Sequence, residues 1–440
     1  MCVSFSGAGQ KKEHFTPMLD ASKGLFKRVW TILWKWILTP LLSIIVGIAI
    51  IRPLIDNYVR PESYTIYFVG NFDNDDVNKI WKKFNQEYKD DLEIDGVKIK
   101  LRKFDGKETD AKRISEKLAK EHDTLMVIGH LYSTPTQIAL PNYLQADPPI
   151  PVILAFESNP NVLPPRIPID TFYPVFRLSP TDDKQAETAA DFIISNKGKK
   201  IWVVEDASNN VYSGYLASEF IKQIHMKNES SKVILWSMDK EILSFDTVKT
   251  LGIDWIFYAG NWSNSLILIH QISEIWKNQT MPSILLSDWN VDKAFLNQEA
   301  VNMKKVFFTH TMKAEDYNKE GYGYWGKLAH QLLKQLVQNA DEEFDELVSE
   351  RSGPAYYIRR LVNFRDVADA RNALYRVMEK SVNLEKPFDL GEQQYIFRRD
   401  GAGVKNLYHV WRVCEHEFVD FPRESWEIHG IEECDPKVSP

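Results

Sequence analysis

Short apolar runs alternate with amphipathic stretches over most of this 440-residue chain, and this alternation restricts the possible folds more than any other feature. The first run covers residues 64–69, helical spacing of apolar residues follows in 75–88, and a second run covers 97–104. Strands that alternate with helices predict parallel sheets covered on both faces. Further strands are predicted at 125–128, 152–155, 173–178, 200–204, 233–236, 255–258, 283–286 and 306–309.

So many strand and helix units exceed one ordinary sheet. The residues suited to ligand binding fall in two groups, 129–160 and 206–288. Ligands of open α/β sheets bind outside the carboxyl ends of the strands, so we expect two doubly wound parallel-sheet lobes with a ligand cleft between them. The predicted binding body covers 62–420, with lobe 1 at about 62–180 plus a later segment, lobe 2 at about 181–310 plus a later segment, and a C-terminal tail at 421–440.

The alternation of short strands and helices ends near residue 321, and a different sequence pattern follows. The spacing predicts helices over 327–339 and 367–378, and the runs 395–399 and 407–413 predict an antiparallel hairpin around the glycines between them.

Residues 36–51 contain no charge, and the apolar stretch reaches 22 residues if it begins at Trp30. That length crosses a bilayer of about 30 Å, so we expect a transmembrane helix in a 30–55 anchor. A cleaved signal peptide is the rival interpretation. Most of the basic residues near the anchor precede it, which places a 1–29 arm in the cytoplasm and the body in the periplasm or outside the cell.

Charge separates the two parts of the chain. Residues 1–61 contain eight Lys or Arg and three acids, whereas the whole chain has a net charge of −7. The acidic body lacks the basic stripes that nucleic-acid binding requires. Cys414 and Cys434 would lie outside the cell, where a disulfide is permitted, and no spacing indicates a metal site.

The stretch 125–137 carries the strongest local signal for a binding site. An apolar run ends at Gly129, and Ser133 and Thr134 then precede helical spacing. Such a turn directs hydroxyls and free backbone N–H groups at a small anion above the sheet edge. The same hydroxyls also serve as ordinary helix caps, which is the alternative.

No sequence motif of a nucleotide-binding loop, a serine-hydrolase elbow or a zinc protease is present, so we expect a binding protein without a cofactor rather than an enzyme.

Six short motifs follow one another in a specific order: GHLYSTPTQ (129–137), ESNP (157–160), FRLSP (176–180), Asp206 with YSG (212–214), YAG (258–260) and SD (287–288). This succession resembles the type 1 periplasmic binding proteins over roughly residues 62–413. The most similar branch is that of the leucine/isoleucine/valine-type substrate-binding proteins of ABC transporters, which bind branched-chain amino acids.

The resemblance implies how an amino acid would be held. Ser133 and Ser158 would bind its carboxylate, with Thr134 beside them, Tyr212 would cover the ligand, and Asp288 would take its ammonium. Three positions depart from the family. Asn261 stands where an aromatic residue is expected, and the adjacent Trp262 would substitute for it as a ligand contact with a different reach. Phe156 and Glu157 stand where small residues are common, so the pocket is expected to be narrower or to carry an extra negative charge.

These observations predict a membrane-anchored extracytoplasmic solute-binding protein that closes around a small amino-acid-like ligand, an amide or a small peptide, for an ABC permease. The alternative is a ligand-sensing ectodomain that signals to a membrane or cytoplasmic partner. A weaker third alternative is an enzyme or structural relic that keeps the fold without binding.

Overall fold

The computed structural model divides the chain into a unit of residues 1–60 with 352–365 and a larger unit of 61–351 with 366–440. In the smaller unit only Trp30, Leu33, Trp34, Lys35 and Thr39 are described. All elements below belong to the larger unit. Its described residues are 62–88, 91–163, 172–207, 210–238, 245–277, 280–297, 303–350, 367–390, 393–399, 408–414, 416–423 and 426, with residue 351 among those left out.

The first lobe is built on a six-stranded sheet in the order β2-β3-β1-β4-β5-β6. All neighbours are parallel except the short β2, which pairs antiparallel with β3. The strands are β1 (Tyr64–Gly70), β2 (Glu93–Ile94), β3 (Val97–Asp105), β4 (Thr124–Ile128), β5 (Val152–Leu154) and β6 (Val175–Arg177).

Helices cover both faces of this sheet because its central strands are apolar on both sides. On β1, Ile66 and Phe68 pack towards one core, whereas Tyr67 and Val69 pack towards the other. The first face is covered by α1 (Asp75–Glu87), α9 (Gly323–Glu350) and α10 (Val367–Asn383), and the second by α2 (Ala111–Lys120) and α3 (Ser133–Leu144).

The second lobe is built on a seven-stranded sheet in the order β15-β14-β11-β10-β9-β7-β8. Its parallel strands are β7 (Lys200–Glu205), β8 (Lys232–Ser237), β9 (Trp255–Ala259), β10 (Ser283–Leu286) and β11 (Val306–His310). Its helices are α4 (Asp182–Ser195), α5 (Asn210–Lys227), α6 (Phe245–Thr250), α7 (Trp262–Ile275) and α8 (Ala314–Glu320).

The hairpin predicted near the C-terminus is wrong. Strand β13 (Gln393–Tyr395) pairs with β12 (Phe388–Leu390) beside the first lobe, whereas β14 (His409–Cys414) pairs with β11 and with β15 (Glu417–Asp420) in the second. Strand pairing is decided by tertiary neighbours, and these two runs have different ones.

Two other C-terminal features extend beyond the sequence expectation. Helix α9 continues through the acidic stretch to Glu350, because Phe344 and Leu347 prolong its buried stripe. Phe421 and Trp426, from the predicted tail, are buried in the core of the second lobe.

Among the helices that the structure describes, none is both long and apolar enough to cross a membrane. The predicted anchor at 30–55 lies outside the described residues, apart from the five single residues named above.

Candidate functional site

A cavity lies between the two lobes, at the carboxyl ends of strands from both sheets. Its empty space amounts to about 310 Å³, a figure that includes volume open to solvent. The first lobe contributes residues that follow β4 and β5, and the second contributes residues that follow β10 or lie on α5. The lining residues are Leu131, Tyr132, Ser133, Phe156, Glu157, Ser158, Tyr212, Asp288 and Trp289.

The turn from β4 to α3 brings Ser133 to this cavity. Gly129 has a φ of +116°, and a Cβ there would lie 2.2 Å from the carbonyl oxygen of Val69, so the turn requires glycine. The hydroxyl of Thr136 donates to the carbonyl oxygen of His130 at 2.7 Å and secures the turn. Helix α3 then begins at Ser133, close to the predicted start.

Glu157 accepts from one donor of this turn and from one donor of its own loop. Its Oε1 accepts a hydrogen bond from the hydroxyl of Ser133 at 3.0 Å and another from the backbone N–H of Asn159 at 2.6 Å. Within the described part of the chain, no donor reaches its buried Oε2. Burial raises the pKa of Glu157 from 4.5 to about 7, although the charge of Arg177 opposes the shift. At neutral pH this carboxyl group is therefore poised between its two protonation states.

Arg177 is buried at the end of β6 and holds the loop that contains Glu157. Its Nη2 donates to the carbonyl oxygen of Asn159 at 3.0 Å. The side chain of Asn159 in turn donates to the carbonyl oxygen of Val211 on α5, which joins the first lobe to the second. The loop is therefore fixed from both sides of the cleft.

Asp288 follows β10 and faces the cavity from the second lobe. Its Oδ1 accepts a hydrogen bond from the hydroxyl of Tyr212 at 2.6 Å and one from Nε2 of Gln185 at 3.1 Å. Its Oδ2 has a longer contact of 3.5 Å with the hydroxyl of Tyr408. Burial raises the pKa of Asp288 even though these donors favour the charged form.

Aromatic rings form much of the remaining wall. The ring of Trp289 lies 5.8 Å from that of Tyr132 and 5.8 Å from that of Tyr212, measured between centroids. Phe156 packs edge-on against Tyr322 at 5.3 Å, which keeps it in place beside Glu157. The cavity thus combines two carboxyl groups with aromatic faces.

Five of the seven predicted site residues meet at this cavity: Ser133, Glu157, Ser158, Tyr212 and Asp288. Thr134 and Trp262 are not among the lining residues. Trp262 is 37% exposed at the start of α7. The side chain of the preceding Asn261 caps that helix by accepting from the N–H of Asn264.

Sequence reasoning missed Leu131, Tyr132 and Trp289. Tyr132 directly precedes the predicted Ser133, and Trp289 directly follows the predicted Asp288. Their positions next to strand ends were the available signal. Among the residues described, no group of three or more His, Cys, Asp or Glu side chains is arranged to hold a metal ion.

No family model and no curated protein sequence matches the chain. Solved structures do match. The leucine-binding protein LivK of Thermotoga maritima has a TM-score of 0.63 at 15% identity, over 82% of this chain and 98% of that one. An ABC-transporter solute-binding protein from R. palustris, in complex with benzoate, has a TM-score of 0.60 at 14% identity, over 82% and 95%.

A third similar structure is the branched-chain amino acid transporter substrate-binding protein LivJ of Streptococcus pneumoniae in complex with isoleucine, with a TM-score of 0.55 at 14% identity, over 82% of this chain and 100% of that one. The fold is thus that of the two-lobed α/β solute-binding proteins. More specifically, it is the type 1 periplasmic binding protein fold that the sequence resemblance predicted, with substrate-binding proteins for leucine and other branched-chain amino acids among its structural neighbours.

Proposed function

We propose that this protein is a solute-binding protein whose two lobes close around a small organic ligand. The observation that supports this best is the cavity itself, which is lined by Ser133 and Glu157 from one lobe and by Tyr212 and Asp288 from the other. A ligand that contacts both sets would favour the closed arrangement through its differential affinity.

The structural neighbours support a small ligand. Complexes of two of these neighbours contain isoleucine or benzoate. For this chain the amino end of the predicted amino-acid-like ligand has a suitable partner in Asp288. The predicted carboxylate end does not, because Glu157 already accepts the hydrogen bond of Ser133.

We also propose that the body works outside the cytoplasm, anchored by residues 30–55, and delivers its solute to an ABC permease. Cys414 is engaged in a disulfide, which supports an oxidising compartment. Membrane fractionation of the full chain tests the anchor. The full-length protein should stay in the membrane fraction on extraction at alkaline pH. A chain that lacks residues 1–61 should be released into the soluble fraction.

A thermal-shift screen of the full-length chain tests the binding function. The panel contains amino acids, amides, small peptides, aromatic acids and amines. A ligand at about 100 times its Kd should stabilise the protein by about 2.7 kcal/mol. The shift should be reduced in Asp288→Asn and kept in Ser265→Ala, which changes a buried serine on α7 away from the cavity. A panel without any stabilising compound would contradict the proposal.

A further inference from the structure

The cavity has a charge pattern unsuited to a zwitterion. Its nine lining residues include two acids, Glu157 and Asp288, and no Lys, Arg or His. A third acid, Asp182, is fully buried behind them and donates its backbone N–H to the carbonyl oxygen of Ser158 at 3.0 Å. Arg177 lies outside the lining and is engaged with the loop of Asn159. The ligand therefore meets negative groups from both lobes.

Glu157 also fills the position where a ligand carboxylate would bind. The hydroxyl of Ser133 and the N–H of Asn159 both donate to Glu157 Oε1. A ligand carboxylate would have to displace this side chain or lie beside it, and two carboxylates in a dry site repel each other strongly.

Oε2 of Glu157 is a hydrogen-bond acceptor that lacks a donor in the described part of the chain. Glu157 is only 1% exposed, so water does not replace that donor freely. A buried, ionised oxygen without a partner is costly, and an ammonium N–H is the donor that would remove this cost. The rings of Tyr132, Tyr212 and Trp289 provide faces that attract a cation.

From these contacts we infer that the ligand is a small organic cation without a carboxylate, an alkyl or arylalkyl amine whose ammonium group binds between Glu157 and Asp288. The inference rests on the proposed function and specifies the ligand class for the same cavity. A metal cation fits less well, since the described acids and histidines form no group arranged to hold one.

Binding of an amine should depend on pH through the groups that face Glu157. These are Asp288 and Tyr212 from the second lobe, Asp182 behind the cavity, and Arg177 from β6. The pKa of Glu157 is raised to about 7, so its proton must leave before it accepts from an ammonium. The affinity for an amine should fall about fivefold from pH 7 to pH 6 if one proton is displaced, because about half of Glu157 is ionised at pH 7 and about a tenth at pH 6. A ligand carboxylate would show the opposite trend, because protonated Glu157 could donate to it.

Two series of probes with matched shapes test the inference by calorimetry on the full-length chain. The first is leucine, 3-methylbutylamine, which lacks the carboxylate of leucine, and 4-methylpentanoate, which lacks its amino group. The second is phenylglycine, benzylamine and phenylacetate. We expect the amine of at least one series to bind at pH 8 at least tenfold more tightly than its two partners. Calcium and magnesium chloride are measured in parallel.

The outcomes separate the inference from the proposed function. Preference for an amino acid or an acid would overturn the inference and keep the binding function. Binding of calcium or magnesium alone would overturn the inference as well. A lack of binding by every probe would overturn both.

Variants at position 157 provide the second measurement. Glu157→Gln keeps the acceptor for Ser133 and removes the charge, so we expect amine affinity at pH 8 to fall about tenfold and its pH dependence to disappear. Glu157→Ala should free Ser133 and the N–H of Asn159, and so allow the amino acid of the preferred series to bind. Glu205→Gln, at the end of β7 and outside the lining, is the matched control and should bind like the wild type. Unchanged amine binding in Glu157→Gln would overturn the inference.

Discussion

The hydroxyl of Ser133 donates a 3.0 Å hydrogen bond to Oε1 of Glu157, a residue 24 positions further along the chain. A carboxylate of the protein thereby takes the donor that the sequence resemblance assigned to a ligand. The site is consequently more acidic than the fold alone would suggest, and its properties should depend on the protonation of Glu157.

Stability of the ligand-free protein should depend on pH through Glu157. Its folded pKa of about 7 lies above the ordinary 4.5, so its full contribution is present below pH 4.5 and is lost as pH rises to about 7. The loss amounts to about 3 kcal/mol. Glu157→Gln should remove it, so the variant should be more stable than the wild type at pH 8 and similar to it at pH 4.5, as measured by denaturant unfolding. Glu205→Gln should show no such difference between the two pH values. An equal effect of Glu157→Gln on the unfolding free energy at pH 4.5 and pH 8 would contradict the raised pKa of Glu157.

Ser133→Ala should destabilise the protein more at high pH than at low pH. The hydroxyl donates to a carboxylate at pH 8, where such a bond is worth about 2 kcal/mol, and to a neutral carboxyl group at pH 5, where it is worth about 1 kcal/mol. Urea unfolding at the two pH values measures the difference. The control is Ser265→Ala, whose hydroxyl donates to the carbonyl oxygen of Trp262 and which should show the same cost at both pH values. A cost for Ser133→Ala that grows on acidification would be the contrary result.

Tyr212→Phe should cost about 2 kcal/mol of unfolding free energy at pH 7.5. The change removes the 2.6 Å hydrogen bond to the buried carboxylate of Asp288 and leaves it with fewer donors. The same loss should raise the pKa of Asp288 further, so the cost should shrink as pH falls. Tyr375→Phe removes a 3.4 Å bond of a half-buried hydroxyl to the carbonyl oxygen of Phe172 and should cost less than 1 kcal/mol. Equal costs for the two variants would show that the bond to Asp288 adds nothing.

Arg371→Met should cost about 3 kcal/mol. The buried Arg371 on α10 donates through Nε to the carbonyl oxygen of Thr124 at 2.7 Å, so its loss leaves a buried acceptor unpaired. The control is Arg376→Met on the same helix. Arg376 is 37% exposed and forms a 3.8 Å ion pair with Glu343, so its loss should cost about 0.5 kcal/mol or less. Similar unfolding midpoints for both variants would contradict the structural role of Arg371.

The parts of the fold that the sequence predicted correctly depend on neighbouring residues. The turn from β4 into α3 is specified by Gly129 and by the hydroxyls that follow it, all within a few positions. The same holds for α1, whose bounds Asp75–Glu87 agree with the helical spacing predicted over 75–88. Apolar periodicity and helix-start residues are sufficient for such elements.

The parts that could not be predicted depend on contacts between distant segments. The pairing of β14 with β11 joins residues about 100 positions apart, which no local pattern records. The bond from Ser133 to Glu157 likewise depends on how two loops meet above the sheet.

Helices α9 and α10 cover a sheet whose strands were synthesised at least 145 residues earlier, since β6 ends at Arg177 and α9 begins at Gly323. During synthesis, one face of the first sheet is therefore covered only by α1 while the whole parallel part of the second sheet is made. In the second lobe, the edge strand β11 likewise stays unpaired on one side until β14 and β15 are synthesised. Exposed apolar sheet faces favour aggregation, so this chain should depend on chaperones until its last hundred residues emerge from the ribosome.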